Sequence, residues 1–420
     1  MPEDLLLPLR EMLTGVLPRN PFWQQRLQGV EIASLRSPDD LDQLPFLLKP
    51  ELVEDQAAHP PYGSNLTYPR TGYSRLHQTS GTTGRPLRCV DTPASWQWVL
   101  RCWEQTYSLI GIREDDVFAF PFSFGPFLGF WAAFEGAQKM GRMCLAGGGL
   151  SSEARLRMID ENSATVICCT PTYALRLAEA GLELGMDLPG GSVRAIVVAG
   201  EPGGNVPAIR DRIEAAWGAT VFDHWGMTEV GPLAIEPAGD RGGLQMLPGK
   251  CLAEVIDPAT GARQTPGELG ELVVTSLGRW GQPFIRYRTG DLVRERAGSP
   301  PLSPYLAGGV LGRTDDMFIV RGNNVFPTSI EAVLREFDDV VEYRMTLRRQ
   351  REMPHLMIEV EPRPECDGVP ALCERIHRRI KDRLNFQPEI VAVAVGALPR
   401  FELKGRRFIK ASGERGASAS

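Results

Sequence analysis

The chain has 420 residues, of which 43% are hydrophobic and 23% are charged, and it carries a net charge of −6. This length is sufficient for two or three domains with large cores, and the composition is that of an ordinary globular protein. Non-specific nucleic-acid binding requires clustered Lys and Arg, whereas this chain has no long basic run. No run approaches the roughly 18 apolar residues of a membrane span. These properties argue against nucleic-acid and membrane partners and favour small molecules.

The cysteine pattern indicates neither a metal site nor a disulfide framework. The eight cysteines form no C-x-x-C pair and no Cys/His cluster with zinc spacing. Free cysteines are often buried, so we predict inert thiols in a reducing cytoplasm. Cys168 and Cys169 are adjacent in an apolar run, and on a strand they would point to opposite faces. The N-terminal stretch "MPEDLLLPLREML" lacks the features of a signal peptide, which also favours the cytoplasm.

The first 240 residues predict a lead-in segment followed by a layered α/β domain. Residues 1–70 combine helix-like apolar spacing with Pro-rich turns, which predicts a segment packed on the core rather than an independent domain. Between residues 90 and 240, helical patterns alternate with the apolar runs "DVFAFPF", "ATVICCTP", "VRAIVVAG" and "ATVFDHW". Turn residues follow each run, which indicates parallel strands buried on both faces.

The remaining residues predict two further units. Between residues 250 and 295, β-branched strands around a D-P-A-T-G turn predict a small antiparallel subdomain. A separate α+β unit follows, with strands at "MFIV", "EYRMTL", "LMIEVE" and "EIVAVAV" and a helix over about 370–385. Thr328 and Glu331 have the spacing of a capping box at a helix start. We expect an α/β fold with domains over 1–314 and 315–420, the last eight or so residues being disordered.

The stretch "HQTSGTTGRP" (residues 77–86) has an unusual density of small hydroxyl side chains and glycines. Glycines let backbone N–H groups converge on an anion, the hydroxyls add donors, and Arg85 adds charge. The Walker A pattern G-x-x-x-x-G-K-[ST] cannot be threaded through it, which disfavours a P-loop ATPase. The stretch therefore predicts a phosphate-binding loop after a short strand, with a polar surface turn as the alternative.

Five further motifs follow this loop in order: "VVAGEP" (197–202), "DHWGMTE" (223–229), "RYRTGDL" (286–292), "GRTDDMFIVRGNNVFP" (312–327) and "LPRFELKGRRF" (398–408). The ordered set resembles the adenylate-forming enzymes, and specifically their phenylacetate–coenzyme A ligase-like branch, across essentially the whole chain. R-G-N-N-V-F-P and the early "NPFWQQRL" and "LPFLLKPEL" are the closest markers of that branch. The resemblance implies a large N-terminal adenylation domain with mostly parallel sheets and a small antiparallel β subdomain, followed by a small mobile α+β C-terminal domain.

The resemblance also implies a role for the residues of the first two motifs. Six loop residues would hold the β- and γ-phosphates of ATP, with Thr82 taking part in catalysis: Thr79, Ser80, Gly81, Thr82, Thr83 and Gly84. Arg85 stands where the family usually has Lys, and a planar guanidinium in place of a compact ammonium would affect pyrophosphate release. Gly200, Glu201 and Pro202 would form a wall against the adenine, although a turn after a buried strand also explains the glycine.

The "DHWGMTE" motif would bind both nucleotide and metal. Its nucleotide-binding residues would be Asp223, His224, Trp225, Gly226, Met227 and Thr228. Trp225, where the family more often has Tyr, would lie over the adenine, and its size would reshape the neighbouring acyl pocket. His224 would either contact the substrate carboxylate or cap the strand. Glu229 would be a catalytic residue and the Mg²⁺ ligand, since Mg²⁺ usually takes one or two protein carboxylates.

The later motifs would complete the site. Asp291 would accept both ribose hydroxyls, although an Asp in T-G-D is also a common turn residue. Arg313 would contact the ribose or phosphate region, and Asp315 would be the hinge of the mobile domain. Arg321 and Gly322 would line the tunnel for the pantetheine arm of coenzyme A, where a glycine permits close approach.

Lys404 would be the catalytic residue that bridges the acyl carboxylate and the α-phosphate. A carboxylate that attacks a phosphate is an anion meeting an anion, so Mg²⁺ and Lys404 would neutralise charge in the transition state. The implied reaction converts an aryl or arylacetic acid and ATP to an acyl-adenylate and then transfers the acyl group to coenzyme A. Both steps use one acyl site, so the C-terminal domain would have to rotate between them.

Two other functions stay open at this point. An adenylating enzyme would pass the acyl group to a carrier-protein thiol or an amine, whereas a degenerate relative would bind nucleotide without catalysis. The intact Thr82, Glu229, Asp291 and Lys404 argue against the second. The aromatic stretch "FAFPFSFGPFLGFWAAF" (118–134) would line a flat acyl pocket or pack in the core. The acid, the acceptor and the formation of a homodimer are left open by the sequence.

Overall fold

The computed structural model describes residues 4–79, 86–316, 318–320, 323–350, 353–384, 386–401 and 407–411. Within these ranges the chain forms ten α-helices: α1 (Leu7–Val16), α2 (Pro21–Arg26), α3 (Lys49–Ala58), α4 (Pro93–Leu109), α5 (Leu128–Lys139), α6 (Ser152–Glu161), α7 (Pro171–Glu183), α8 (Pro207–Trp217), α9 (Pro327–Leu334) and α10 (Val369–Leu384). Most begin with a proline in the first two positions, where its missing N–H costs no helical hydrogen bond. None of these helices is both long enough and apolar enough to cross a membrane.

The same ranges contain twenty β-strands: β1 (Arg75–Gln78), β2 (Arg88–Asp91), β3 (Val117–Phe120), β4 (Met143–Ala146), β5 (Val166–Cys169), β6 (Ala195–Val198), β7 (Thr220–Met227), β8 (Gly231–Ile235), β9 (Gly243–Met246), β10 (Cys251–Ile256), β11 (Leu269–Ser276), β12 (Tyr287–Arg294), β13 (Tyr305–Ala307), β14 (Gly312–Arg313), β15 (Phe318–Val320), β16 (Asn323–Val325), β17 (Val340–Gln350), β18 (Met353–Pro362), β19 (Glu389–Ala392) and β20 (Phe408–Lys410). They assemble into five sheets.

An eight-stranded sheet forms the centre of the molecule, in the order β13-β9-β8-β7-β6-β5-β3-β4. Strands β3 to β7 pair in parallel, whereas β7, β8, β9 and β13 pair antiparallel. All four residues of β5 and of β6 are buried, which confirms the predicted parallel strands covered on both faces. Cys168 packs in the largest core and Cys169 in a second core, so the two thiols face opposite sides of the sheet.

The lead-in segment packs on the largest core, as the sequence predicted. Leu9, Met12 and Leu13 of α1 are fully buried there. Trp23 of α2 is also fully buried, and its indole N–H donates to the carbonyl of Pro283, 3.2 Å away. The predicted antiparallel subdomain is the four-stranded sheet in the order β10-β11-β12-β14. The segment and this sheet therefore share one hydrophobic interior.

The C-terminal residues form a smaller α+β unit with its own core. Its sheet has the order β19-β18-β17-β20, and α9 and α10 contribute buried residues to the same cluster. The predicted capping box at Thr328 and Glu331 is wrong, because α9 begins at Pro327 with Phe326 as its N-cap. Thr328 lies inside the first turn, and its hydroxyl donates to the carbonyl of Leu311 instead. That bond ties the helix to the residues preceding β14.

Candidate active site

Apart from Thr79, which follows β1, the predicted site residues that the structure describes lie near the carboxyl ends of the parallel strands β6 and β7 or on β12 and β14. Nine others lie outside the described residues: Ser80, Gly81, Thr82, Thr83, Gly84, Arg85, Arg321, Gly322 and Lys404. Thr79 pairs with Leu87 across the two ends of the predicted phosphate loop. Its backbone N–H donates to the carbonyl of Leu87, and its hydroxyl accepts from the N–H of Leu87, both at 3.0 Å. The two strands that flank the loop, β1 and β2, form an antiparallel hairpin, so its ends are held together.

The loop after β6 turns sharply and is tied to the start of α7. Gly200 has a φ of +93°, which favours glycine. The carboxylate of Glu201 accepts a hydrogen bond from the backbone N–H of Thr172 at 2.9 Å. This bond fixes the predicted adenine wall of Gly200, Glu201 and Pro202 against the carboxyl end of the neighbouring strand β5.

Three charged or aromatic residues from separate strands form a connected group. The indole N–H of Trp225 on β7 donates to Asp291 Oδ2 on β12 at 2.8 Å, and Arg313 Nη1 on β14 donates to Asp291 Oδ1 at 2.7 Å. Asp291 is only 6% exposed, so these contacts compensate a buried carboxylate. Arg313 also contacts Asp315 at 2.9 Å. The structure thus brings together Trp225, Asp291 and the neighbours Arg313 and Asp315, which belong to three separate motifs.

Two neighbours of Trp225 on β7 point elsewhere. His224 is buried and stacks on Trp103, with ring centroids 4.3 Å apart, and neither ring nitrogen has a hydrogen-bond partner among the described residues. Burial lowers the pKa of His224 to about 3, so the ring is neutral. The expectation that His224 caps the strand is therefore wrong. Asp223 is buried beside Asn205, and burial raises the pKa of this carboxyl to about 7.

The turn from β7 to β8 requires a small residue and is braced by a buried arginine. A Cβ at Gly226 would lie 2.8 Å from Pro232 Cα, which accounts for the glycine in the motif. Met227 is half-buried against the largest core. Arg279 donates to the carbonyls of Thr228 and Glu229 at 2.7 and 2.6 Å. These contacts fix the backbone that carries the predicted metal ligand.

The carboxylate of Glu229 is almost fully buried, with only 2% exposure, and lies between two groups that the sequence did not single out. The hydroxyl of Tyr287 donates to Glu229 Oε1 at 3.2 Å, and the ammonium of Lys49 lies 3.1 Å from the same oxygen. Both residues belong to quoted motifs, "RYRTGDL" and "LPFLLKPEL". Lys49 is a single lysine at the first position of α3 and resembles many surface lysines, so sequence reasoning missed it.

Comparison with known proteins supplies the family. The model for AMP-binding enzymes matches residues 76–278, and the model for the AMP-binding enzyme C-terminal domain matches residues 322–411. The phenylacetate-coenzyme A ligase of Thermus thermophilus is 31% identical over 94% of this chain and 92% of its own length. The enzyme of the same name from Escherichia coli is 29% identical over 92% and 89%.

Solved structures agree with this placement. A 2-hydroxyisobutyryl-CoA ligase in the postadenylation state, in complex with 2-HIB-AMP, matches with a TM-score of 0.91 at 28% identity, over 97% of this chain and 89% of that chain. The same ligase in the thioesterification state, with 2-HIB-AMP and CoA, matches with a TM-score of 0.72 at 30% identity, over 97% and 88%. The expected α/β fold is confirmed. The chain belongs to the AMP-binding, adenylate-forming enzymes, in the phenylacetate–coenzyme A ligase-like branch.

Proposed function

We propose that this chain is an AMP-forming acid–CoA ligase, which joins a carboxylic acid to coenzyme A through an acyl-adenylate. The relatives that match over most of the chain are named as ligases of this kind. The single observation that carries the proposal is the connected group of Trp225, Asp291 and Arg313. Glu229 lies just after the strand of Trp225, and its partner Tyr287 lies on the strand of Asp291. An aromatic surface, a ribose acceptor and a carboxylate are the parts that adenylation needs.

In this proposal, ATP binds between the loop over 79–85 and the ends of the parallel strands. Asp291 accepts the ribose hydroxyls, since an ionised carboxylate has several lone pairs and can accept more bonds than the two described. Trp225 and the wall over 200–202 enclose the adenine, and Lys404 approaches the α-phosphate. Arg321 and Gly322 face coenzyme A after the C-terminal domain rotates about Asp315.

Mg²⁺ is the metal that we assign to this reaction, with Glu229 as its protein ligand. Among the described residues, no three His, Cys, Asp or Glu side chains group as a ligand set. A single carboxylate still fits Mg²⁺, which commonly takes one or two carboxylates and completes its shell with phosphate oxygens and water. Mg²⁺ would supply positive charge to the triphosphate. Tyr287 orients the carboxylate of Glu229, and Arg279 fixes the backbone of Thr228 and Glu229.

We infer that the acid is aromatic. Phe122, Phe124, Trp131 and Phe134 lie in continuous ring contact, with centroids 4.6 to 5.4 Å apart along the Phe122–Phe124, Phe124–Trp131 and Phe124–Phe134 pairs. Phe118, Phe120 and Phe122 are core residues, so core packing accounts for those three, whereas Phe124, Trp131 and Phe134 are only partly buried against the same core. A planar acid matches the flat faces of such rings better than a flexible chain does. Transfer to a carrier protein, a homodimer and the cytoplasmic location stay predictions.

A panel of carboxylic acids, assayed for pyrophosphate release with and without coenzyme A, tests this function. We expect an aryl or arylacetic acid to give acyl-AMP and pyrophosphate, and AMP and a thioester only when coenzyme A is present. Formation of ADP would contradict adenylation. Acyl-AMP formation with no thioester would favour a carrier protein or an amine as the acceptor.

A further inference from the structure

The ion pair between Lys49 and Glu229 places a cation from the lead-in segment at the predicted metal ligand. The two side chains are unequal, because Lys49 is 36% exposed whereas Glu229 is 2% exposed. A buried carboxylate without a cation carries a large desolvation cost. Lys49 therefore compensates Glu229 while keeping contact with solvent.

The backbone holds Lys49 in this position through contacts with the strand that carries Tyr287. The N–H of Leu47 donates to the carbonyl of Arg286, and the N–H of Arg288 donates to the carbonyl of Leu47, both at 3.0 Å. Lys49 is the first residue of α3, two residues after this clamp. The clamp fixes the Cα of Lys49, while its four-carbon side chain keeps the freedom to move.

No second cation among the described residues forms an ion pair with Glu229. Arg279 is close to Glu229, but its guanidinium is paired with Asp91 at 2.7 Å, and both side chains are fully buried. Tyr287 is neutral, because burial raises the pKa of its phenol. Among the described residues, Lys49 is thus the ionic partner of Glu229, and it uses the oxygen that Tyr287 also contacts.

We propose that Lys49 is a tethered counter-cation that Mg²⁺ displaces from Glu229, so that Lys49 is a positioning residue that sets the metal concentration the enzyme requires. This inference rests on the proposed role of Glu229 as the metal ligand. A divalent cation beside the Glu229 carboxylate would repel the Lys49 ammonium, because both are positively charged. The partly exposed ammonium returns to water when Glu229 takes the divalent ion, at little cost because it is already partly hydrated.

The test is thermal melting of the full chain during titration with MgCl₂ alone, at constant ionic strength. Lys49→Met should melt at a lower temperature than the unmodified protein in EDTA, because Glu229 loses its charge partner. Its MgCl₂ midpoint should be roughly fivefold lower, which corresponds to the upper range for a partly exposed ion pair. Lys49→Arg should restore the original midpoint, since it keeps the charge.

Matched controls separate this role from a general effect of losing a lysine. Lys139 pairs with Glu104 at 3.3 Å on the surface, so Lys139→Met should leave the MgCl₂ midpoint unchanged. The double variant Lys49→Met with Glu229→Gln should lose the MgCl₂ response. Should Lys49→Met fail to fold, Lys49→Gln provides the same comparison, because its amide can still donate to Glu229.

Three results would overturn the inference. Equal MgCl₂ midpoints for Lys49→Met and the unmodified protein would mean that Lys49 does not compete with the metal. Weaker binding of α,β-methylene-ATP in EDTA, with an unchanged MgCl₂ response, would make Lys49 a phosphate contact instead. If MgCl₂ with α,β-methylene-ATP stabilised none of these proteins, the proposed function itself would fail.

Discussion

Asp291 holds two neighbours at once, and its contacts illustrate how single side chains are fixed in this site. Trp225 and Arg313 each bond one of its carboxylate oxygens. Charge-assisted bonds of this kind are shorter and stronger than neutral ones. Trp225, where the family more often has Tyr, therefore differs from Tyr in more than size. Its indole N–H bonds Asp291, the residue expected to bind ribose, and this bond fixes the orientation of the ring.

Glu229→Gln tests the proposed role of Glu229 as the metal ligand. The amide keeps the shape of the side chain but removes its charge, so we expect Mg²⁺-dependent adenylation to fall by more than about tenfold. Pyrophosphate exchange measured over a range of Mg²⁺ concentrations gives the result. Glu104→Gln, which removes a surface carboxylate, is the control. An unchanged rate and Mg²⁺ dependence for Glu229→Gln would remove Glu229 from the site.

Asp223→Asn tests the buried carboxyl. Burial raises its pKa from 3.8 to about 7, Glu236 adds to the rise, and Asn205 and Arg210 oppose it. The folded state therefore binds a proton that the unfolded state releases, so this group's stabilisation is present below about pH 4 and is lost as pH rises through 7. Asp223→Asn should gain on the order of 4 kcal/mol relative to the unmodified protein between pH 4 and pH 8, since each pKa unit is about 1.4 kcal/mol. Urea unfolding of both proteins at pH 4 and pH 8 measures this. The same pH dependence of the unfolding free energy in both proteins would contradict it.

At the scale of elements, the strands of the central sheet were predictable because each is a short apolar run between turns. The start of α9 was not, because two signals competed there: Pro327 fixed the first turn, so Thr328 became a helical residue that bonds Leu311. The motifs assigned Trp225, Asp291 and Arg313 to one site, and these three side chains are in contact in the structure. Lys49 reaches Glu229 from a distant part of the chain, and no local pattern encodes that contact.

The segment between β14 and β15 is the element that we expect to act as a hinge. The carboxylate of Asp315 accepts a hydrogen bond from Arg313, and its backbone carbonyl accepts one from Lys410 of β20. Asp315→Pro should restrict φ and slow the rotation of the C-terminal domain. We expect one half-reaction, adenylation or thioester formation, to slow at least several-fold more than the other. Equal loss of both in single-turnover assays, with normal folding by circular dichroism, would argue against a hinge there.

At the scale of the whole molecule, one arginine joins the C-terminal unit to the central domain. Arg407 makes a bidentate pair with Glu342 of β17 at 2.6 and 2.9 Å, and it donates to the hydroxyl of Thr172 on α7 at 3.1 Å. Its guanidinium also lies 3.9 Å from Glu201. This arrangement accompanies the greater similarity to the postadenylation structure, with TM-scores of 0.91 against 0.72 for thioesterification.

Thr172→Val should weaken this arrangement without changing the shape of α7. One bond from a charged donor is lost, so we expect acyl-adenylate formation to slow by about fivefold, while thioester formation from supplied acyl-adenylate stays near normal. Arg344→Gln is the control, because Arg344 makes a bidentate pair with Glu359 inside the C-terminal sheet alone. Equal slowing of both half-reactions in Thr172→Val would contradict the prediction.

The reactivity of the two adjacent thiols of β5 can report separately on the two faces of the central sheet. Burial raises the pKa of both Cys168 and Cys169, so neither reacts while its own layer is closed. Each thiol lies in a different hydrophobic cluster. Pulsed alkylation followed by mass spectrometry would therefore time the opening of the two layers separately, from two neighbouring atoms on one strand. If one layer opens first, chains alkylated at only one of the two cysteines accumulate. The modified cysteine identifies the face of the sheet that opens first.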